Sequence, residues 1–116
     1  LSFAYNVTVN NETEFVVKVT AWTVHIGTKH GVSTETIQPG GSYTWSTGAW
    51  CPCGLTGQIK DSKGNWRKIQ DTNCLGHKST IEWSTACCWN LTFRVCRKVG
   101  EGYSEIRDDD YGFCKE

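Results

Sequence analysis

The amino-acid sequence predicts a mainly β fold, a single-domain antiparallel sandwich or partly closed barrel stapled by disulfide bonds. Three observations support this class: Thr is frequent while Ala is rare, short candidate strands alternate with turn residues, and seven cysteines are available for cross-links. The alternative is an α+β fold with a five-stranded sheet flanked by short helices, because disulfides can hold poor helix formers in helical geometry. No repeat or linker divides the chain, so residues 1–116 are expected to form one domain.

Two candidate strands, residues 3–9 and 89–95, alternate between apolar and polar side chains. In the first, Val7 and Val9 fall on one side and Asn6 on the other, as expected when only one face of a strand meets the core. In the second strand, Leu91 and Phe93 fall on one side and Asn90 on the other. Both strands therefore predict an outward face that also carries the asparagine of an N-x-T sequon.

Residues 14–26 are apolar on both sides, which predicts a central strand covered on two faces. Turn residues at 38–41 and 61–65 separate further strands, and the second turn closes a hairpin between residues 57–60 and 66–69. The remaining candidate strands are residues 33–38, 42–46, 55–60, 66–70, 79–84 and 103–107.

The cysteines predict three disulfide bonds and one odd thiol, with a pairing that spacing alone leaves open. Cys87 and Cys88 are adjacent and would point to opposite faces if they lay in a strand, so we expect them to join different bridges. A bridge between Cys51 and Cys53 across one proline would be strained. The full set is Cys51, Cys53, Cys74, Cys87, Cys88, Cys96 and Cys114.

Cysteine density and sequons together predict a secreted, extracellular glycoprotein. Disulfides persist in oxidising compartments, and the candidate glycosylation sites are Asn6, Asn11 and Asn90. No charged start followed by an apolar stretch is present at Leu1, so we expect a mature chain whose export signal has been removed.

Charge and motif content argue against several functional classes. The 12 basic and 12 acidic residues balance, which disfavours binding to nucleic acid, and no apolar run approaches the roughly 20 residues of a membrane span. No serine-nucleophile elbow, His-Glu-x-x-His motif or phosphate loop is present. We therefore expect no enzyme, no cofactor and no metal site, because the Cys51, Cys53, Cys74 and His77 spacing does not fit a zinc site.

Six tryptophans exceed what a small core needs, and several stand among turn residues. Sugars pack their CH faces on aromatic rings while amide and charged side chains bind their hydroxyls. One predicted hairpin tip carries that combination in Asp61, Lys63, Asn65 and Trp66, and Trp50 precedes the first cysteine. The alternative is that Trp66 and Trp83 face inward as core residues.

A second candidate site is the acidic segment at residues 103–111. Its carboxylates and flanking tyrosines, Asp109 and Tyr111 among them, have the chemistry to bind sugar hydroxyls. Three successive aspartates do not all face one ion, and the spacing of an EF-hand is absent, so a solvated turn is the alternative to a calcium site.

Two resemblances to known families follow from the layout. The run at residues 37–45, Ile-Gln-Pro-Gly-Gly-Ser-Tyr-Thr-Trp, followed by Gly-Leu-Thr-Gly-Gln-Ile at 54–59, resembles the strand and Pro-Gly turn order of aegerolysin and actinoporin sandwiches. In size, disulfide content and Trp richness the whole chain resembles the small secreted cysteine-containing glycan-binding proteins of mushrooms. The second resemblance implies a fungal lectin acting in defence, able to pair into homodimers.

These observations lead to one functional hypothesis and its alternatives. We expect a secreted, lectin-like defence protein that binds cell-surface carbohydrate without catalysis and without stable membrane insertion. The alternative is a membrane-active cytolysin or defence effector of sandwich type, followed by a small secreted hydrolase.

Overall fold

The computed structural model describes residues 4–78, 85–100 and 105–116, which form nine strands in two facing sheets. The strands are β1 (Asn6–Asn11), β2 (Val17–His25), β3 (Thr28–Ile37), β4 (Ser42–Ser46), β5 (Cys51–Lys60), β6 (Trp66–Lys68), β7 (Thr72–Asn73), β8 (Leu91–Arg97) and β9 (Tyr111–Lys115). No helix occurs in these ranges, so none of the described residues forms a helix long and apolar enough to cross a membrane.

The two sheets form a sandwich and do not close into a barrel. The smaller sheet has the order β4-β1-β8-β9, and the larger has the order β3-β2-β5-β6 with β7 also paired to β5. All pairs are antiparallel except β1 and β8, which run parallel. The predicted mainly β sandwich is confirmed, with this parallel pair as its departure from a purely antiparallel arrangement.

The core lies between the sheets and is built from the alternate side chains that the sequence pattern places inward. Val7 and Val9 are buried while Asn6 is exposed, and Leu91, Phe93 and Val95 repeat this pattern in β8. The inward predictions for these two strands are therefore confirmed.

Strand β2 is central, between β3 and β5, but only one of its faces is covered. Val17 and Val19 are buried against the other sheet, whereas Lys18 and Thr20 are only partly buried. The prediction of cover on two faces is wrong for this strand. The outer face remains accessible because the sandwich has two layers and the described chain places no third layer over this sheet.

Several predicted strand boundaries shift in the structure. Strand β4 matches its prediction, whereas β3 and β5 begin earlier and β6 ends earlier. Residues 105–107 lie in no strand, because Asp110 accepts a hydrogen bond from the Arg107 backbone N–H at 2.9 Å and makes the acidic run a turn before β9. Residue 3, the predicted strand at 79–84 and residues 103 and 104 lie outside the described residues.

Three disulfides join Cys51 to Cys88, Cys74 to Cys87 and Cys96 to Cys114. The adjacent cysteines belong to different bridges, as predicted. Cys53 is the odd thiol, and burial raises its pKa to about 11, so at neutral pH it stays protonated. Three disulfides in a chain of this size are typical of extracellular proteins.

Candidate functional site

A groove lined mainly by polar residues runs across the uncovered outer face of the larger sheet, and its volume is about 380 Å³. We call it the threonine groove. Its lining residues are Lys18, Thr20, Thr34, Thr56, Gly57, Gln58, Lys68 and Asp71.

Strand register brings these side chains together from four strands. Thr20 in the central strand pairs with Thr34 on one side and Thr56 on the other, which places three hydroxyls in one row. Lys18 pairs with Gln58, and Gln58 pairs with Lys68 on the next strand. Because side chains alternate between faces along a strand, the two rows are neighbours on the outer face.

The groove hydroxyls are oriented by hydrogen bonds within the sheet. The Oγ1 atoms of Thr20 and Thr34 lie 2.6 Å apart, and Trp22 donates from Nε1 to the Oγ1 of Thr56 at 2.9 Å. A hydroxyl offers one donor and two acceptor positions, so each of these groups keeps capacity for a ligand. These hydrogen bonds fix the positions of the groove hydroxyls on a partly exposed surface.

Charges in the groove are mixed and close to neutral. The Lys68 ammonium lies 3.9 Å from an Asp71 oxygen and 3.3 Å from an Asp109 oxygen. Burial raises the pKa of Asp71, and the positive charge of Lys68 opposes that shift. A neutral, polyhydroxylated ligand suits this balance better than an ionic one.

Two tryptophans lie at the borders of the groove. The Lys18 ammonium stands 4.0 Å from the ring centroid of Trp66, so this ring adjoins the groove wall through a cation–π contact. Trp22 extends toward β3, where a Cβ atom on Gly31 would lie 3.6 Å from its ring. This is an ordinary van der Waals distance, so the Trp22 ring lies directly beside Gly31 on the sheet face.

The structure brings the two predicted candidate segments together at one end of the molecule. Lys63 and Glu105 form an ion pair at 2.8 Å, and the Asp109 backbone N–H donates to the Lys68 carbonyl at 2.8 Å. Asp109 therefore reaches the groove through Lys68, and Lys63 and the exposed Asn65 lie nearby on the hairpin. Of these residues, Lys68 lines the groove.

Asp61 and Tyr111 have structural positions that leave them little access to a ligand. The Asp61 carboxylate accepts hydrogen bonds from the backbone N–H groups of Lys63 and Asn65, and chiefly the Asn65 bond lowers its pKa. Tyr111 is 8% exposed, packs edge-on against Phe15 and contacts Arg97. Asp61 therefore organises the turn and Tyr111 packs in the core, and their binding to sugar stays a prediction.

Trp50 lies away from the groove, near the opposite end of β2. It precedes Cys51, which pairs with Val24, and Val24 lies four positions beyond Thr20, the nearest groove residue of β2, or about 13 Å along the strand. Its ring stacks on His25 with centroids 4.8 Å apart. The predicted sugar contacts Trp50 and Trp66 therefore belong to different sites.

Sequence analysis missed the threonines that line the groove. Thr20, Thr34 and Thr56 are common strand residues far apart in the chain, and they become one row only through the strand register. The available signal was a polar residue at alternate positions of β2, which the flanking apolar residues obscured.

A wider cleft of about 580 Å³ lies beside the Cys96–Cys114 disulfide. Its arginines are engaged, because Arg94 lies 3.8 Å from Glu12 and Arg97 stacks on Tyr111 at 4.9 Å. Its one aromatic ring, that of Tyr111, is buried. With its arginines engaged and its aromatic ring buried, this cleft is a weaker candidate for sugar binding than the threonine groove.

The sequon asparagines differ in accessibility. Asn6 and Asn90 are exposed, whereas Asn11 is 1% exposed. The Asn11 Nδ2 donates to the carbonyls of Phe15 at 2.7 Å and Ile37 at 3.0 Å, so both amide hydrogens are used. An N-linked glycan is attached through this nitrogen, and the folded structure has no room for one there.

We therefore expect Asn11 to be unmodified in the folded protein secreted from a eukaryotic host. Peptide mass spectrometry after enzymatic deglycosylation measures the occupancy of each sequon. Asn90→Gln provides the control, because it removes an exposed site without affecting Asn11. Folded protein carrying a glycan on Asn11 would contradict the hydrogen-bonding role of its amide.

Comparisons with protein-family models, curated proteins and solved structures found no match for this chain.

Proposed function

We propose that this chain is a secreted glycan-binding protein of the lectin type, acting in defence, that holds neutral sugars in the threonine groove. The observation that carries the proposal is the row of three threonine hydroxyls beside Gln58 on an uncovered sheet face. Three disulfides and the two exposed sequons, at Asn6 and Asn90, support an extracellular setting.

The chemistry of the groove suits sugar hydroxyls. Sugar rings present neighbouring hydroxyls that both donate and accept, and the Thr and Gln side chains of the groove do the same. Asp71 and Lys68 add an acceptor and a donor whose charges compensate each other. The Trp66 ring at the border has the Lys18 ammonium 4.0 Å and the Lys60 ammonium 5.7 Å from its centroid, and we assign its remaining, partly exposed surface to the CH face of a sugar.

The proposal is binding without catalysis. Among the described residues, the groove is lined by a single carboxylate, Asp71, and by no histidine or cysteine. Asp71 shares the Lys68 ammonium with Asp109, whose carboxylate lies outside the groove lining, and we assign this pair to binding rather than to hydrolysis. Pairing of two copies into a homodimer would raise avidity for cell-surface glycans.

A pair of matched variants tests the groove. Thr34→Val removes one hydroxyl of the bonded Thr20–Thr34 pair, and Thr44→Val removes one of the equivalent Thr8–Thr44 pair, whose Oγ1 atoms lie 2.8 Å apart on the other sheet. Both substituted positions lie on edge strands. We expect Thr34→Val to weaken glycan binding about five- to ten-fold and Thr44→Val to leave it unchanged.

The measurement is a glycan array followed by calorimetric titration with the strongest ligand found. Trp66→Ala is expected to weaken the same interaction by removing the ring at the border. Binding that responds equally to Thr34→Val and Thr44→Val would move the site away from the groove. An array without any signal for the folded wild-type protein would overturn the proposed function.

A further inference from the structure

The hairpin between β2 and β3 ends in a two-residue turn, Ile26-Gly27, in which both residues have positive φ. The values are 49° for Ile26 and 70° for Gly27, as in a type I′ turn. Asn, Asp and Gly are the residues that this turn favours. Isoleucine is a poor choice here because its branched Cβ is crowded in the left-handed region.

Ile26 is also 87% exposed, which makes it the most exposed large apolar side chain among the described residues. Backbone strain and exposure of an apolar side chain to water are two separate costs at one position. Neither is offset by a contact that packs Ile26 into the fold. Such outliers concentrate where a residue meets something outside the protein.

Behind the tip, Trp50 is braced between two histidines. Its ring is stacked on His25 with 8° between the planes, and the His30 centroid lies 4.4 Å away. The next residue, Cys51, is tied to Cys88. Trp50 nevertheless stays 37% exposed, so part of this fixed indole ring is accessible behind the turn that carries Ile26. We call Ile26, His25, Lys29, His30 and Trp50 the hairpin tip.

The charge distribution sets this end of the molecule apart. No Asp or Glu occurs in residues 15–34 or 36–60, the segments that contain the hairpin and Trp50. Toward the opposite end of the larger sheet, the β5–β6 turn holds Asp61 and contacts the acidic run at residues 105–110. Asp71 lies nearer to the hairpin tip, since the positive charge of Lys29 opposes the rise of its pKa.

We propose that the hairpin tip docks the protein peripherally on an anionic lipid surface. Ile26 enters the boundary between headgroups and acyl chains, and Trp50 lies at headgroup depth, where indole rings are favoured. Lys29 is attracted by the anionic headgroups, while the carboxylates of the β5–β6 turn and of the acidic run lie toward the other end of the sheet. Thr20, the nearest groove residue of β2, lies five positions before His25, or about 17 Å along the strand, and we place the groove outside the lipid contact.

Vesicle sedimentation tests this proposal with the full chain. We expect the wild-type protein to bind vesicles of phosphatidylcholine and phosphatidylserine, to bind phosphatidylcholine alone far more weakly, and to be released by added salt. Ile26→Asn is expected to weaken binding about ten-fold or more, because it removes the inserted side chain. Lys29→Gln is expected to weaken it about five-fold.

Stability separates loss of docking from loss of fold. Asn suits the left-handed turn, so Ile26→Asn should raise the midpoint of thermal unfolding by about 2–4 °C while docking is lost. Val99→Ser is the matched control, since Val99 is 43% exposed on a different part of the surface. We expect this control to bind vesicles as the wild type does.

Three outcomes would overturn the proposal. The first is a wild-type protein that does not sediment with anionic vesicles. The second is Ile26→Asn that binds as well as the wild type. The third is self-association of the wild type in sedimentation velocity that Ile26→Asn abolishes without vesicle binding, which would assign the tip to a second copy of the chain. Glycan binding is measured separately, so failure of either proposal leaves the other testable.

Discussion

Trp45→Ala is expected to lower the free energy of unfolding by about 3–5 kcal/mol. Trp45 is among the largest fully buried side chains, and it lies on the edge strand β4 of the smaller sheet. Its Nε1 donates to the carbonyl and hydroxyl oxygens of Ser33 in the larger sheet, each at 3.1 Å. The substitution therefore leaves a large cavity and also removes a hydrogen-bonded link between the two layers.

Denaturant unfolding followed by circular dichroism measures this effect. Tyr43→Ala is the control, because Tyr43 is an aromatic residue of the same strand that is partly exposed. We expect the control to cost about 1 kcal/mol. Equal losses for the two variants would mean that the sheets are not held together through Trp45.

Removal of the Cys51–Cys88 disulfide is expected to cost about 4 kcal/mol in the double variant Cys51→Ser/Cys88→Ser. This bridge spans 37 residues, whereas Cys74–Cys87 spans 13. A longer loop loses more entropy when it is closed in the unfolded chain, so the shorter bridge should contribute about 3 kcal/mol. Double variants are used because a single one would leave, in addition to the buried Cys53, an unpaired thiol able to exchange with the remaining disulfides.

Unfolding of the two double variants under identical conditions gives the comparison. The Cys51 and Cys88 variant should also loosen Trp50, whose neighbour is one end of this bridge, and so weaken vesicle binding. The Cys74 and Cys87 variant provides the control for that second effect. A greater loss of stability from the shorter bridge would contradict the loop-closure explanation.

The threonine groove and the hairpin tip lie at different positions along the same strand, β2. The groove crosses β2 near Lys18 and Thr20, while the hairpin tip follows the last residue of the same strand. A protein docked through Ile26 would therefore present the groove along its side. Glycans attached to the same membrane surface would then be bound at high effective concentration.

Much of the architecture could be predicted from patterns of neighbouring residues in the sequence. Alternation of side chains identified the buried faces of β1 and β8, because a strand turns successive residues to opposite sides. Adjacent Cys87 and Cys88 indicated two different bridges for the same reason. The sandwich itself followed from short strands separated by turns, since such strands bury their apolar faces only by packing two layers together.

The sites depended on contacts between distant parts of the chain. Asp61 looked like a ligand residue, yet its carboxylate is used by the backbone of its own turn. Asn11 looked like an ordinary sequon, yet its amide links the backbone at Phe15 and Ile37. In both cases the chemistry of the side chain was interpreted correctly, but its hydrogen-bond partners in the folded chain determine its role.

Composition, alternation and cysteine spacing were sufficient for the fold class, the inward faces and the number of bridges, because these depend on neighbours along the chain. The disulfide pairing, the parallel β1–β8 pair and the threonine groove depend on strand register, which joins Thr20 to Thr34 and Thr56. Register is set by packing over the whole sandwich. Only the folded structure therefore shows which polar residues share an exposed surface and which form hydrogen bonds that stabilise the fold.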